Sequence, residues 1–195
     1  MLRKRIIPLI IILLSHSGYA QYSESFIENR GQWSEEVEYL LPLKKNNLYF
    51  TGNKILFQKL DLPSRNQPGS TAAVHQVFLN FHDSKRDILN DRENSSGTEY
   101  QFLRNNNGNT QNISAKSYKK IIFDEVYVDI DINYELLSDS SVGINIESDK
   151  ALSINNLKIN SEGQKKLLIQ DNGDLLIFYN SGSYNLTSPV AKQYY

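Results

Sequence analysis

The sequence feature that most constrains the fold is an alternation of apolar and polar residues from Ile122 to Leu136. Its even positions are apolar except at Asp124, and its odd positions from Glu125 onward are acidic, Asn or Tyr. Successive side chains of a β-strand point to opposite faces, whereas a helix would scatter this order around its surface. The segment therefore predicts one bent strand or two consecutive strands, with the even positions buried and the odd positions facing water.

Two further segments share this period of two. Leu48 to Phe50 and Ile55 to Phe57 flank Thr51-Gly52-Asn53-Lys54, which predicts a hairpin with a short Gly-Asn turn. Val74 to Phe81 predicts another strand, and one face of this strand carries His75, Val77, Leu79 and Phe81.

The C-terminal part of the chain predicts a second hairpin. Lys166 to Gln170 and Leu175 to Tyr179 are apolar runs that flank Asp171-Asn172-Gly173-Asp174. Asn-Gly supplies the two positive-φ residues of a type I′ turn, so Asn172-Gly173 is predicted to form a two-residue turn.

The remaining segments offer little helical pattern. Glu35 to Leu41 favours a strand that ends at Pro42, and three polar stretches predict connecting loops, namely Asp61–Thr71, Asp83–Gly97 and Asn105–Asn112. Many short strands without alternating helices are typical of an all-β fold. We therefore expect an antiparallel β-sandwich that forms a single β-rich domain over residues 21–195.

The first twenty residues have the layout of a secretory signal peptide. A basic stretch ends at Arg5, an apolar run follows from Ile6 to Leu14, and small residues at Gly18 and Ala20 fit cleavage after Ala20. The apolar run is about half of the roughly 20 residues that span a bilayer. The sequence therefore predicts export to the periplasm, cell surface or medium, with no permanent membrane anchor.

Composition excludes several kinds of chemistry. The chain has no cysteine, so disulfides, cysteine-ligated metals and thiol nucleophiles are excluded, and its net charge of −1 gives no reason to expect nucleic-acid binding. His75 and His82 are predicted on opposite faces of one strand, roughly 23 Å apart, and cannot share a metal. No Gly-x-Ser-x-Gly motif occurs. We therefore predict no catalytic residue and no cofactor.

The acidic residues of the alternating segment are the remaining candidates for chemistry. Glu125, Asp129, Asp131 and Glu135 are predicted to form a solvated stripe on the polar face. Carboxylates about 7 Å apart could instead bind Ca²⁺, for which Asp129 and Asp131 are the candidates, or act as an acid/base pair on glycans. Asp171 and Asp174 are expected only to solvate their hairpin.

The residues Phe26-Ile27-Glu28-Asn29-Arg30-Gly31-Gln32-Trp33 resemble the opening of an uncharacterised domain of exported Bacteroidota surface proteins, Phe-x-Glu-Asn-x-Gly-Gln-Trp. This chain has Val128-Asp129 where that family often has Pro-Gly. In the family the domain follows a signal peptide and precedes SBBP or β-propeller-type repeats, PKD domains and type IX sorting tails. No catalytic residues are established for it. Further segments fit in register, namely Asn47–Thr51, His75–Phe81, Tyr100–Leu103, Tyr118–Asp131 and Pro189–Gln193.

Together these observations predict an exported, non-catalytic module concerned with cell-surface architecture or protein–protein association, whose exposed strand edges could be augmented by a partner strand. One alternative is a carbohydrate-binding module, which requires a line of exposed aromatic residues. Trp33, the only tryptophan, could belong to such a platform, although we expect it to plug the core. The other alternative is a glycan-active hydrolase, which requires two carboxylates converging in a cleft.

Overall fold

A computed structural model describes residues 24–43, 46–61, 71–85, 89–106, 109–137, 141–148 and 155–191. Within these ranges the chain forms thirteen β-strands and no α-helix, which confirms the all-β prediction. No helix in the described ranges is long and apolar enough to cross a membrane. The predicted signal peptide, with its cleavage site after Ala20, lies outside the described residues.

The strands form one large and one small antiparallel sheet. The large sheet contains β1 (Phe26–Glu28), β2 (Tyr39–Pro42), β3 (Asn46–Thr51), β4 (Lys54–Asp61), β5 (Ala73–Phe81), β6 (Leu89–Asn106), β7 (Asn109–Tyr127), β8 (Ile130–Leu136), β9 (Val142–Glu147) and β10 (Ile159–Glu162). Its order is β10-β5-β4-β3-β2-β1-β7-β8-β9, with β6 paired to β7. The small sheet has the order β11-β12-β13 and contains β11 (Lys166–Ile169), β12 (Leu175–Tyr179) and β13 (Gly182–Leu186).

The large sheet curls so that one of its faces encloses the core. The ring of Phe50 on β3 contacts that of Tyr134 on β8, with centroids 4.8 Å apart, and Tyr39 on β2 contacts Phe123 on β7 at 6.1 Å. Ile177 of β12 is fully buried in the same core, so the small sheet helps to close it. Burying such side chains contributes about 1.5–3 kcal/mol each. The predicted sandwich is thus a curled sheet packed on itself.

Two predicted elements are confirmed at residue level. β3 and β4 form a hairpin in which Thr51 pairs with Lys54, leaving Gly52 and Asn53 in the turn. In β5 the side chains of Val77, Leu79 and Phe81 are buried, as the alternation predicted. The strand expected from Glu35 is shorter than predicted, because β2 begins at Tyr39.

The alternating segment folds as two strands, β7 and β8, joined by a turn at Val128 and Asp129. Phe123 pairs with Ile132, and Tyr127 pairs with Ile130. The four residue steps from Phe123 to Tyr127 in β7 therefore lie opposite only two steps in β8. This irregularity contains Glu125, whose φ is 51°. Because the surplus of two steps is even, odd positions of β7 face even positions of β8 on both sides of the bulge, and the exchange of odd and even positions arises at the two-residue turn, across which Tyr127 pairs with Ile130.

The turn corrects the burial prediction for the alternating segment. The even positions Val126, Ile130, Ile132 and Tyr134 are buried, as predicted. The prediction is wrong for the odd positions Tyr127 and Asn133, which are buried, and for the even position Val128, which lies in the turn and is exposed. The period of two cannot show where a two-residue turn exchanges odd and even positions.

The C-terminal hairpin, β11–β12, forms where predicted but with a different turn. Gln170 N–H donates to Asp174 O at 2.8 Å, and Gly173 N–H donates to Gln170 O at 2.9 Å. These bonds define a three-residue loop in which Gly173, at φ 87°, takes the left-handed position. The predicted two-residue turn is wrong, because Asn172 keeps a negative φ and its Oδ1 instead accepts the Asp174 N–H at 3.1 Å.

Two predicted loops belong instead to a long hairpin. β6 runs from Leu89 to Asn106 and overlaps both stretches that are predicted as connections, 83–97 and 105–112, and β7 begins inside the second one. It pairs with β7 over most of its length. Polar residues dominate β6, and backbone hydrogen bonds to β7 hold the hairpin together. The sequence pattern therefore gave no strand signal there.

Candidate functional site

The loop after β1 is anchored by a buried carboxylate. Glu28 Oε1 accepts hydrogen bonds from Arg30 Nε at 2.9 Å and from the backbone N–H of Lys116 at 3.0 Å. The hydroxyl of Tyr118 donates to Oε2 at 3.5 Å. A buried carboxylate is costly unless it is hydrogen-bonded and charge-paired. Glu28 therefore fixes the start of this loop to β7.

Asn29 organises the rest of the loop. Its Nδ2 donates to the carbonyls of Ser34 and Val37 at 2.8 and 2.7 Å. Its Oδ1 accepts the backbone N–H groups of Gly31 and Trp33 at 3.0 and 3.3 Å. The Glu-Asn-x-Gly-Gln-Trp motif thus contains the residues that hold its own tryptophan in place.

Trp33 does not plug the core, which corrects the sequence prediction. It is half-buried and packs edge-on against Phe102 of β6, with ring centroids 5.5 Å apart. Phe102 in turn stacks on Tyr100, at 6.5 Å and an interplanar angle of 25°. We call these three residues the aromatic row. The hydrogen bonds of Asn29 direct the chain toward β6 instead of under the curled sheet.

Two shallow cavities flank Trp33. One, of about 300 Å³, is lined by Trp33 together with residues that include Glu35 and Glu38. The other, of about 430 Å³, lies between Trp33 and the β6 residues Leu103 and Arg104. The Leu103 side chain is 76% exposed, and Arg104 Nη1 donates to Gly31 O at 2.8 Å. Aromatic, aliphatic and guanidinium-bearing residues therefore line the second cavity together.

The aromatic row lies at the base of a two-stranded arm. Residues Glu99–Asn106 and Asn109–Lys116 pair with each other, whereas β1 pairs with β7 only at Ser117 and Tyr118. At roughly 3.3 Å per residue the arm is about 25 Å long. A two-stranded ribbon alone is marginally stable in water. The contacts of Phe102 with Trp33 and of Arg104 with Gly31 O therefore help to hold the arm against the loop after β1.

The predicted acidic stripe is not continuous. Glu125 lies in the bulge and pairs with Lys85, and Asp129 lies in the turn with φ 61°. Asp131 on β8 accepts the Glu125 backbone N–H through Oδ1 at 2.6 Å, and Glu135 lies further along β8. Among the described residues, no three or more His, Asp or Glu side chains form a group that could hold a metal ion.

A second polar cluster joins the two sheets, and no sequence pattern predicted it. Asp61 Oδ1 lies 3.2 Å from Lys59 Nζ, and Asp61 Oδ2 lies 3.1 Å from His75 Nε2. Lys59 also donates to Ser181 Oγ at 3.2 Å and lies 5.3 Å from the ring centre of Tyr179. These five residues belong to β4, β5, β12 and the turn before β13, so only the fold brings them together.

The charges of this cluster stabilise each other. The hydrogen bond to Asp61 raises the pKa of Lys59 above its usual value. Hydrogen bonds from Ser181 and Lys59 lower the pKa of Asp61. Lys59 therefore stays protonated and cannot remove a proton from the Ser181 hydroxyl. His82, predicted on the same strand as His75, lies beyond the end of β5 and contacts Asp83, with 2.9 Å between Nδ1 and Oδ2.

These features define an all-β domain with a curled antiparallel sheet, a two-stranded arm and an aromatic row held by a hydrogen-bonded loop. The sequence of residues 26–195 matches the family described as Domain of unknown function (DUF7948), and the chain belongs to that family. The match begins at Phe26, the first residue of the motif that carries the resemblance, and it confirms that the domain is an uncharacterised one. Searches with the chain find no matching curated protein and no matching solved structure.

Proposed function

We propose that the chain is an exported, non-catalytic module that binds another protein at the cell surface through Trp33 and the neighbouring β6 residues. The observation that carries this proposal is a hydrogen-bonded loop that holds the half-buried Trp33 at a surface cavity, which Leu103 and Arg104 also line. Trp, Tyr and Arg are enriched among the residues that dominate the energy of protein interfaces. Because the loop is already held by hydrogen bonds, little conformational entropy is lost when a partner binds.

The polar cluster supports a non-catalytic role. A general base works best when its pKa lies near the working pH. The pKa of Lys59 is instead raised and that of Asp61 lowered, which suits a fixed ion pair joining the sheets. Beside Trp33, Glu35 is exposed, whereas the acid of a glycoside hydrolase is withdrawn from water.

Export is supported by the basic and apolar N-terminal pattern before Ala20 and by the resemblance to exported Bacteroidota surface proteins. Their repeats and sorting tails suggest that the module works as one part of a surface assembly. Secreted material should begin at Gln21, and N-terminal sequencing tests this. A mature protein that still begins at Met1 would contradict it.

A surface glycan is the second candidate ligand. The nearly parallel rings of Tyr100 and Phe102, 6.5 Å apart, continue from Trp33 in one row. A carbohydrate-binding module requires a line of exposed aromatic residues; these three rings are half-buried, and what favours a glycan is that their remaining surface offers apolar faces to sugars. The two candidates differ in the chemistry of the partner and share the same site.

Binding to cells separates the two candidates. Fluorescently labelled residues 21–195 are added to cells of the encoding organism that were pretreated with protease or with periodate. Loss after protease indicates a protein partner, and loss after periodate alone indicates a glycan. The double variant Trp33→Ala/Leu103→Ser should lose binding in either case. The matched control Val128→Ser, an exposed apolar residue in the β7–β8 turn, should retain it. Binding that survives the double variant would place the partner elsewhere.

A further inference from the structure

The large sheet has a second face, opposite the core, that carries apolar residues of its own. Leu40 pairs with Tyr49, Tyr49 with Leu56, and Leu56 with Phe78, so these four residues form one row across β2, β3, β4 and β5. Directly paired residues share a face, and Phe50, the next residue of β3, is buried in the core on the other side. Leu40 is buried, whereas the other three are partly exposed. We call Tyr49, Leu56 and Phe78 the outer apolar row.

A row of side-chain amides runs beside the outer apolar row. Asn47 pairs with Gln58, and Gln58 pairs with Gln76. These three residues, the outer amide row, lie on the same three strands, two residues or about 7 Å away from the apolar row. The Tyr49 hydroxyl donates to Gln58 Oε1 at 3.3 Å and ties the two rows together, and Gln76 is exposed. The face therefore offers apolar area beside groups that both donate and accept hydrogen bonds.

This face is almost free of charge. Among the described residues of β2–β5, Lys54 is the only charged residue that the register places on it, and Lys54 Nζ lies 3.3 Å from Glu36 Oε2. The other charged residues of β4, Lys59 and Asp61, alternate with this face and belong to the polar cluster between the two sheets.

The near absence of charge favours a neutral glycan over other large ligands. Nucleic acids require clustered cations, and the cores of protein interfaces are enriched in arginine, which this face lacks. A neutral glycan requires neither. Its hydroxyl groups donate and accept hydrogen bonds as amides do, and the C–H faces of its sugars pack on aromatic rings.

The spacing of the two aromatic residues suits a glycan that runs across the strands. Tyr49 and Phe78 lie on β3 and β5, which are two strand spacings, or about 10 Å, apart. A pyranose unit of an extended glycan advances by about one strand spacing. The two rings therefore match alternate sugars, Leu56 lies beneath the sugar between them, and the outer amide row follows one side of the glycan.

We propose that the outer apolar row and the outer amide row bind a neutral glycan that lies across β3, β4 and β5. Sugar faces pack on Tyr49 and Phe78, and sugar hydroxyls exchange hydrogen bonds with the outer amide row. The site is independent of the proposed function, because it uses β3–β5 and neither Trp33 nor β6. An open sheet face covers only one side of a glycan, so its affinity is low and its test must detect weak binding.

Affinity electrophoresis of residues 21–195 tests the site, because the native gel holds a polysaccharide at high concentration. Separate gels contain hydroxyethyl cellulose, arabinoxylan, galactomannan or dextran, and one or more of them should retard the wild-type chain. Tyr49→Ala and Phe78→Ala each remove one ring and should raise the dissociation constant about tenfold. Phe178→Ala, a matched change at a partly exposed phenylalanine of the small sheet, should leave it unchanged. Thermal melting checks that every variant is folded.

Gln76→Leu distinguishes a glycan from a protein that docks on the same face. The change removes an exposed amide and enlarges the apolar area, so it should weaken binding of the retarding polysaccharide about tenfold. Unchanged or tighter binding of that polysaccharide by Gln76→Leu would overturn the proposal, and so would a wild-type chain that none of the four gels retards. Retardation that is lost in Trp33→Ala/Leu103→Ser but kept in Tyr49→Ala and Phe78→Ala would also overturn it, because the glycan would then bind at Trp33.

Discussion

The side-chain amide of Asn29 makes four hydrogen bonds, two as donor and two as acceptor, and all four end on the backbone of the loop that carries Trp33. At the scale of single residues, an amide is the side chain suited to this task, because it offers two donors and one acceptor oxygen in fixed geometry. Asn29 thus holds the backbone of Trp33 in place and also lines the cavity beside it.

Asn29→Ala should destabilise the domain by about 2 kcal/mol, since several loop backbone groups lose their partners. It should also shift Trp33 fluorescence to longer wavelength as the ring becomes more exposed. Chemical denaturation and emission spectra measure the two effects. Gln32→Ala, which removes one amide of the same loop, serves as the milder comparison. Unchanged stability and emission in Asn29→Ala would contradict the role assigned to this amide.

Tyr184 on β13 gives a prediction about pH. Its ring packs against Phe57 and Tyr179, and its hydroxyl is buried with no hydrogen-bond partner in the described part of the chain. Burial raises the pKa of Tyr184 to about 12. Unfolded tyrosine ionises near pH 10, so the unfolded state binds fewer protons above that pH. The contribution of protonated Tyr184 to the free energy of unfolding is complete below pH 10 and is lost as the pH rises to about 12.

Tyr184→Phe should therefore remove part of the fall in stability between pH 10 and 12. At neutral pH it should raise stability by about 1 kcal/mol, because it deletes a buried hydroxyl without a partner and keeps the ring. Unfolding curves at several pH values, compared with Tyr49→Phe, measure both effects. Equal pH dependence in all three proteins would show that Tyr184 ionises normally.

At the scale of elements, the β11–β12 loop depends on one glycine. Gly173 has φ 87°, and a Cβ atom there would lie 2.7 Å from Ser188 Oγ. Gly173→Val should destabilise the domain by about 1 kcal/mol or more, because a β-branched residue is strained at positive φ. The melting midpoint measures this change. Gly143→Ala is the control, since its Cβ would meet only ordinary contacts of 3.6 Å or more.

The elements also show what the sequence could predict. β3, β4, β5 and β8 each have one buried face, so the period of two located them. β6 is held by backbone pairing and was missed, and the two-residue turn between Tyr127 and Ile130 exchanged the odd and even positions, which the period of two could not show. In the candidate site, the sequence predicts Trp33 in the core because its side chain is large and apolar. The hydrogen bonds of Asn29 that hold it elsewhere depend on the folded backbone.

At the scale of the whole molecule, the two sheets share one core. Ile177 of the small sheet is fully buried among side chains of the large sheet, and Lys59 of the large sheet donates to Ser181 beside β13. A sheet of three short strands has too little apolar area to be stable alone. The two sheets should therefore unfold together.

Ile177→Ala should destabilise the whole domain by about 2–5 kcal/mol, the usual cost of such a cavity in a core. Trp33 fluorescence reports on the large sheet, and far-UV circular dichroism reports on all strands. The two unfolding curves should shift together. Ile159→Ala, at a half-exposed position on the edge strand β10, should shift them little. Separate transitions in Ile177→Ala would show that the small sheet unfolds on its own.

The long strand β7 has a mechanical consequence. It runs without interruption from the tip of the arm to the core, with β6 on one side and β1 followed by β8 on the other. A pull on the arm along the strand axis therefore loads the hydrogen bonds to all three neighbours at once, in shear. A pull across the axis opens the β6–β7 pairs one after another from the tip. A load carried by the arm is thus resisted far more strongly along its length than sideways.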